Sequence, residues 1–496
     1  LNQILTFGLA YDPFRRAAAI IRTQGFGAIK ARATNKIAMR VSASHRLRVN
    51  SRWNLNFICV FFFMIDPATQ FLIQAEDIPK QPEDVRRWHG LQGAAFALAI
   101  HETALAENRC ILIIAEHSQS AQRLQQELAF FSGGAYPIDI FPDYETLIYD
   151  GFSPHQDILS DRLALLSRAA LDRAVVIVPA ATLLLRLPPR AFLLGHNLRL
   201  QTGQRLDLST LRRQLHASAY RAVDTVIEHG EFTVRGSVLD LFPMGAANPF
   251  RVELFDDEIE SIRTFDPETQ LSTGITDAID TLPAREFPLS KEGIRLFQDQ
   301  WHEQFGGNPR DCRMYQDVAQ GQAPAGIEYY LPLFYTETET LLNYLPADLL
   351  LITEAIANPI QSYWETAKSR YESLRYDLER PILPPEALLL AEDELMGLLK
   401  AFPRLDRLDT FRKGARTFDT LPAPDLGIED RAADPFHRLR THLATQDARI
   451  LISAETPGRR ELIDQLLRTA GLAPKMVSSW LDFLTSDAPL SISHAP

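Results

Sequence analysis

Two arginines and one phenylalanine stand where their side chains could form a binding surface. Arg235, Arg251 and Phe255 lie in two stretches in which apolar and polar residues alternate. Successive side chains of a β-strand point to opposite sides of a sheet, so this alternation places all three residues on the polar side. Arginine and aromatic side chains supply much of the binding energy at protein interfaces. The chemistry that these residues predict is therefore recognition of a protein partner.

Antiparallel strands are the elements that must position these side chains. The runs 228–243 and 249–262 read as consecutive strands joined by a proline-containing turn, and a pair of aspartates at 256 and 257 marks the next turn. If both strands share one sheet with one buried face, the two arginines and the phenylalanine point to the same solvent side.

A second interpretation of these residues stays open at this point. Another segment of the chain could cover Phe255, and the two arginines could pair only with Glu253 or Glu231. Single apolar side chains are common on protein surfaces, so an unexpected phenylalanine does not by itself identify a binding site.

A second candidate site is a loop with the glycine spacing of a nucleotide-binding P-loop. The lysine and the serine or threonine that would bind phosphate and magnesium are missing from it. A P-loop needs Gly-x4-Gly-Lys-Ser/Thr, because its N–H groups cradle the phosphates, the lysine reaches them and the hydroxyl holds magnesium. The equivalent place has Gly90 and Gly93, followed by Ala94 and Ala95 where the lysine and the hydroxyl residue would stand. We therefore expect this loop to bind neither nucleotide nor magnesium. The sequence also shows no metal-ligand spacing and no catalytic residue.

The pattern of apolar residues predicts an α/β multidomain fold. Short apolar runs at 110–115 and 174–179 read as buried parallel strands, with an amphipathic helix between them near 119–131. A proline-started helix begins near residue 358, and its apolar face is predicted to continue through Leu378. Residues 408–422 read as a polar linker.

The first 63 residues differ from the rest in charge. They hold ten Lys or Arg and one acidic residue, a net charge of +9 within a chain whose formal net charge is −12. Their apolar run at 57–65 is far shorter than the roughly 20 residues that span a bilayer. We expect residues 1–63 to be disordered sequence upstream of a natural start at Met64, and a basic arm that binds nucleic acid is the alternative. Three cysteines without paired spacing suit a reducing cytoplasm.

The motifs around the binding residues resemble a known module. The pattern Gly-Glu-Phe-x-x-Arg-Gly-x-x-Leu-Asp-Leu-Phe-Pro at 230–243, then Pro-x-Arg-x-Glu-x-Phe-x-Asp-Glu-Ile at 249–259, is similar to the domain by which UvrB and the transcription-repair coupling factors (Mfd) hold UvrA. The segments 153–157 and 324–334 also resemble the coupling factors. UvrB itself has a working P-loop and a long β-hairpin that clamps DNA, and this chain lacks the first and has no room for the second between 140 and 157.

The resemblance implies a domain order and a function. It predicts a degenerate P-loop NTPase-like, UvrB-like domain in two parts, 64–197 and 284–413, with a β-rich UvrA-binding domain at 198–283 inserted between them and a small α/β domain at 414–496. Arg235, Arg251 and Phe255 match the family's contacts with UvrA. The implied role is recruitment of UvrA in transcription-coupled nucleotide excision repair, by a chain that is monomeric, has no membrane partner and needs no cofactor.

The same resemblance implies what other parts of the family supply. The coupling factors also carry a domain that binds RNA polymerase and a DNA translocase that uses ATP and magnesium, and residues 1–496 show the motifs of neither. We therefore expect the residues present to have no enzymatic activity. Two alternatives stay open: a UvrB-like ATP-dependent excinuclease subunit, and a regulatory module that only packs against the motor of the family.

Overall fold

A computed structural model describes most of the chain from residue 72 onward and two short segments before it. The described residues are 39–42, 59–63, 72–168, 173–195, 197–306, 308–422, 424–426, 434–445, 449–454 and 456–494. Within them the strands form four sheets. No helix in this part of the chain is long and apolar enough to cross a bilayer.

A seven-stranded parallel sheet forms the centre of the molecule. Its strands come from chain segments on both sides of the β-rich region, and its central strands are buried along their whole length, as expected for a parallel sheet covered on both faces. In spatial order they are Arg416–Thr417, Val85–His89, Arg404–Leu408, Leu350–Thr353, Ile111–Ala115, Val175–Pro179 and Ile138–Ile140.

Helices cover both faces of the parallel sheet. The predicted amphipathic helix is present as Ser118–Ser132, and the side chain of His117 caps its first turn by accepting from the N–H of Ser120. The other helices are Ala95–Ala106, Gln156–Leu166, Arg190–Gly195, Lys291–Gln304, Arg313–Ala319, Leu341–Tyr344, Ala357–Leu374, Pro385–Leu388 and Glu392–Leu399, with 3-10 turns at Ala75–Asp77, Thr182–Leu184, Pro309–Asp311 and Ile327–Phe334.

One of these helices is shorter than the sequence pattern predicts. The helix Ala357–Leu374 ends before Leu378, which is 87% exposed and not part of an apolar face. The side chain of Asp377 accepts from the N–H groups of Glu379 and Arg380. A side chain that bonds to the backbone in this way favours a turn over a further helical turn, and this explains the early end.

A six-stranded sheet lies in the segment 198–283, which we call the inserted domain. Its strands, in spatial order, are Ser272–Thr276, Glu258–Phe265, Phe250–Phe255, Val238–Leu241, Glu231–Arg235 and Arg221–Ala222, and all pairs are antiparallel except the last. The inner face of this inserted sheet is apolar and packs on the helix Leu208–Ala217 and the main core. A two-stranded ribbon, Leu198–Gln201 with Ala278–Thr281, joins the first and last residues of the domain.

The sequence interpretation of 228–243 as one strand is wrong. The run contains two strands that pair with each other, and Gly236 and Ser237 form the turn between them. Gly236 has a φ of 62°, a conformation that glycine adopts without strain. The dipeptide Gly236-Ser237 lies between two stretches of alternating apolar and polar residues. Such a pair is typical of a β-hairpin turn, so the sequence does contain a signal for two strands. The predicted turn at 256 and 257 is present, with Phe255 paired to Glu258 across it.

A third sheet contains the carboxyl-terminal part of the described chain. Its strands are Thr420–Leu421, Met39–Ser42, Cys59–Phe63, Arg449–Ala454, Leu490–His494 and Lys475–Met476, and helices His437–Thr445, Pro457–Thr469 and Trp480–Leu484 accompany them. Two of these strands, Met39–Ser42 and Cys59–Phe63, lie within the segment 1–63. Their apolar run gains backbone hydrogen bonds from the strand Arg449–Ala454, a pairing that local sequence cannot reveal. The rest of 1–63 lies outside the described residues.

The segment predicted as a polar linker is packed against the parallel sheet. The strand Arg416–Thr417 extends this sheet beside Val85–His89. Phe418 is 5% exposed, and its ring meets that of Trp88 edge-on at 5.8 Å between centroids. One buried aromatic residue therefore holds in place a segment whose composition otherwise indicates a linker.

A fully buried arginine joins the helix Gln156–Leu166 to the chain segment that follows the inserted domain. Arg162, on the helix Gln156–Leu166, donates from Nε to Glu286 Oε1 at 2.6 Å, and both side chains are at most 1% exposed. Its guanidinium lies between the rings of Phe141 and Tyr144, 4.2 and 4.1 Å from their centroids. Tyr144 donates its hydroxyl to Glu286 Oε2 at 2.6 Å, and burial raises the pKa of this phenol. These four residues form the Arg162 cluster.

Candidate protein-binding site

The strand register places the three predicted residues on the same side of the inserted sheet. Val238 pairs with Arg235 on one neighbouring strand and with Glu253 on the other, and Arg251 and Phe255 each lie two residues from Glu253. Side chains two residues apart on a strand share a face. We call this side, opposite the apolar inner face, the outer face.

Phe255 is exposed to solvent on the outer face. It ends the strand Phe250–Phe255, immediately before a turn in which Asp256 has a φ of 58°. Its side chain is 75% exposed, so no described segment covers it. The strand's alternate residues Val252 and Leu254 are buried, and this fixes the orientation of the phenylalanine toward solvent.

Arg251 is held firmly by its neighbours. Its Nε and Nη2 donate to Asp240 Oδ1 and Oδ2 at 2.7 and 2.9 Å, and its Nη1 donates to the carbonyl of Gln270 at 3.4 Å. Its guanidinium lies 4.9 Å from the ring centroid of Phe265. The hydrogen bonds to Asp240 raise the pKa of Arg251. This arginine is a fixed part of the surface, with 23% of its side chain exposed.

Arg235 is exposed and makes a different kind of contact. Its Nη2 donates to the backbone carbonyl of Asp224, and among the described residues no carboxylate forms an ion pair with it. The predicted alternative, in which the two arginines pair with Glu253 or Glu231, is wrong. Glu253 lies 3.5 Å from Arg263, and the carboxylate of Glu231 is taken by Arg221 and by two backbone N–H groups.

Sequence reasoning missed three residues of the outer face. Asp240 is buried beneath Arg251, and Phe265 packs with Val226 and Phe242 in a small separate core. Ile275, on the edge strand, pairs with Arg263 and is 80% exposed. The alternation in Val-Leu-Asp-Leu at 238–241 assigns Asp240 to the outer face once the hairpin register is known. Nothing in the sequence signals the exposure of Ile275.

The loop with the P-loop spacing lies between the strand Val85–His89 and the helix Ala95–Ala106. Gly90 has a φ of 83°, and a Cβ there would lie 2.5 Å from the carbonyl oxygen of Phe418. The hydroxyl of Thr420 accepts from the N–H of Gln92 at 2.8 Å and donates to the carbonyl of Gly90. A neighbouring segment of the chain therefore packs directly on this loop.

The two alanines of this loop face the protein interior. Ala94 and Ala95 are 2% and 0% exposed. The N–H of Ala95 donates to the carbonyl of Gln92 at 3.1 Å, and the N–H of Phe96 donates to that of Gly93 at 3.3 Å. These donors would point at phosphate oxygens in a nucleotide-binding loop, and here they bond within the turn.

Charged groups near this loop are also paired. Arg407 donates to Glu354 Oε1 at 2.9 Å and lies 4.8 Å from the ring centroid of Phe96. Burial raises the pKa of Glu127 on the neighbouring helix to about 7. The described residues contain no cluster of side chains that could hold a metal ion.

Taken together, the fold and the outer face define a class. The chain is an α/β protein that carries a β-sheet domain inserted between two segments that share one parallel sheet. Residues 198–287 match the model of the UvrB interaction domain. Residues 442–496 match the model described as MFD, D3 domain.

Similarity to curated proteins identifies the family. The chain is 40% identical over 410 residues to the transcription-repair-coupling factor of Haemophilus influenzae, covering 81% of this chain and 36% of that protein. For the factor of Escherichia coli the identity is 40% over 408 residues, covering 81% and 35%. For that of Bacillus subtilis it is 26% over 285 residues, covering 54% and 24%. The chain belongs to the transcription-repair-coupling factors, and it spans about a third of the length of the first two.

Proposed function

We propose that the outer face of the inserted domain binds UvrA. The observation that carries this proposal is the exposed Phe255, which shares the outer face with the exposed Arg235 and the fixed Arg251. The match of residues 198–287 to the UvrB interaction domain supports UvrA as the partner. The chain would then serve as the UvrA-recruiting part of a coupling factor.

The chemistry of the outer face sets what the partner must offer. A phenylalanine that is 75% exposed favours an apolar pocket, because removing its ring from water supplies the driving force. The exposed guanidinium of Arg235 favours a carboxylate at the rim of that pocket. We propose that the binding surface of UvrA combines these two features.

We place this binding step within transcription-coupled nucleotide excision repair. The relatives are named transcription-repair-coupling factors, and the chain aligns with about a third of their length. Contacts with RNA polymerase and DNA, and ATP-driven translocation with magnesium, are proposed to reside in parts of the family that this chain does not match. The residues present would act by recruitment, as a monomer and without enzymatic activity or a cofactor.

We further propose that the loop 90–95 is a degenerate P-loop that binds no nucleotide. The alanines at 94 and 95 and the contacts of Thr420 support this proposal. Titration of the full chain with ATP and magnesium is expected to give no saturable heat signal at millimolar nucleotide. Tight, saturable uptake would instead favour a UvrB-like ATPase.

Binding of the full chain to purified UvrA by calorimetry tests the proposed function. We expect saturable binding that Arg251→Ala weakens by about 2 kcal/mol, roughly 30-fold, because hot-spot truncations cost this much. Arg186→Ala is the matched control, since Arg186 is a surface arginine paired with Glu394 outside the inserted domain. A folded wild-type chain that does not bind UvrA would contradict the proposal and favour a purely regulatory role.

A further inference from the structure

We infer that Arg251 and Arg235 act differently on the outer face: Asp240 is a positioning residue that fixes and neutralises Arg251, whereas Arg235, which forms no ion pair with any described residue, is the cation that attracts the partner. This inference rests on the proposed binding of UvrA and assigns roles within that site. It follows from the contacts of the two guanidinium groups.

Arg251 and Asp240 form a bidentate salt bridge, in which two guanidinium nitrogens donate to the two carboxylate oxygens. Two parallel donations of 2.7 and 2.9 Å join them, and such bidentate pairs are both strong and directional. The Asp240 side chain is 4% exposed, so the pair is shielded from water on that side. Because the two charges cancel at this distance, Arg251 contributes little net field toward an approaching protein.

Two further contacts hold the guanidinium plane of Arg251 in place. The ring of Phe265 lies 4.9 Å away, and the carbonyl of Gln270 accepts from Nη1 at 3.4 Å. Gln270 in turn donates from its amide to the carbonyl of Val226 at 3.1 Å. Arg251 thus connects the strand Phe250–Phe255 to the loop at Gln270 and, through Gln270, to the loop at Val226. These contacts depend on the planar shape of the guanidinium group.

Among the described residues, Arg235 has neither a carboxylate partner nor an aromatic ring against its guanidinium. Its side chain is exposed, and it donates to the backbone carbonyl of Asp224, which neutralises no charge. The described residues place no carboxylate in an ion pair with it. A surface charge of this kind acts over about a Debye length, roughly 10 Å at 0.1 M salt, and is screened as salt rises.

These differences predict different kinetic roles. Charges at the rim of an interface mainly change the association rate and its salt dependence, whereas buried charge pairs mainly change the dissociation rate. Lysine keeps the charge of arginine and loses the planar fork. Lysine variants therefore separate the two roles. A lysine at 235 keeps the positive charge that Arg235 supplies, whereas a lysine at 251 loses the planar, two-pronged hydrogen bonding that Arg251 supplies.

The test is the kinetics of UvrA binding by the full chain at about 50 mM and about 500 mM sodium chloride. Arg235→Ala should slow association roughly tenfold at low salt and about twofold or less at high salt, and Arg235→Lys should match wild type. Arg251→Ala and Arg251→Lys should both speed dissociation roughly 30-fold at either salt concentration. Asp240→Asn should speed dissociation in the wild-type background and add nothing to Arg251→Ala.

Two results would overturn the inference while leaving the proposed function intact. The first is an Arg251→Lys variant that binds like wild type, because Arg251 would then act as a simple cation. The second is an Asp240→Asn effect that persists in full beside Arg251→Ala, because Asp240 would then act through general stability. Absence of binding by the wild-type chain would instead remove the proposed function and this inference with it.

Discussion

Arg162→Met is expected to lower the free energy of unfolding by about 3–5 kcal/mol, because it leaves the carboxylate of Glu286 buried without its cation. The side chains of Arg162 and Glu286 are 0% and 1% exposed, so water cannot replace the lost partner. Two aromatic rings also lose the guanidinium that fills the space between them. Urea unfolding followed by tryptophan fluorescence measures the change.

Two comparisons show whether the charge pair is the cause. The double variant Arg162→Met with Glu286→Gln should be less destabilised than the sum of the single variants, since no charge then stays buried. Arg186→Ala, which breaks a partly exposed pair with Glu394, should cost less than about 1 kcal/mol. Equal costs for Arg162→Met and Arg186→Ala would refute the proposed role of the Arg162 cluster.

Phe255→Asp is expected to weaken UvrA binding by about 3 kcal/mol, roughly 100-fold, without changing the stability of the chain. The ring is 75% exposed in the free protein, so its replacement creates no cavity. In the complex the same change would place a carboxylate in an apolar pocket beside acidic groups. Calorimetry with UvrA measures the affinity, and urea unfolding verifies the fold.

Leu378→Asp is the matched control for this substitution. Leu378 is 87% exposed and lies outside the inserted domain, so an aspartate there changes charge and exposed apolar area in the same way. We expect its affinity for UvrA to equal that of wild type. If both variants bind like wild type, Phe255 is not part of the binding site.

Much of the parallel-sheet domain could be predicted from the sequence because its strands have a strong local signal. The runs at 110–115 and 174–179 are continuous and β-branched, and they form buried strands at Ile111–Ala115 and Val175–Pro179. The start of the helix Lys291–Gln304 can likewise be predicted from Ser290, a typical N-cap residue. In the structure its hydroxyl accepts from the N–H of Gly293. Apolar runs and helix caps are local signals, and each predicts one strand or one helix. In this domain the predicted strands and helix are present.

The candidate site could be predicted only in part, because its chemistry depends on strand register. Alternation assigns Arg235, Arg251 and Phe255 to one face without knowledge of which strands pair. The partner of Arg251 is Asp240, and the two meet only through the pairing of Val238–Leu241 with Phe250–Phe255 across a long turn. The sequence therefore indicated a face with two equivalent arginines, whereas in the structure Arg251 is paired with Asp240 and Arg235 forms no ion pair with any described residue.

Long-range pairing also explains the errors elsewhere. The strand Cys59–Phe63 pairs with Arg449–Ala454, nearly four hundred residues away in the chain. The segment that reads as a linker is held by Phe418 against Trp88. In each case the stabilising partner is remote in sequence, so composition and periodicity carry no information about it.

The ribbon of Leu198–Gln201 with Ala278–Thr281 has a consequence for how this architecture can change over time. The two ends of the inserted domain lie side by side, with Leu198 opposite Thr281. The insertion of about eighty residues therefore interrupts the host domain at a single place. A domain attached in this manner can be gained or lost as a single unit at one position of the host chain. The inserted domain is therefore attached to its host through two adjacent chain crossings.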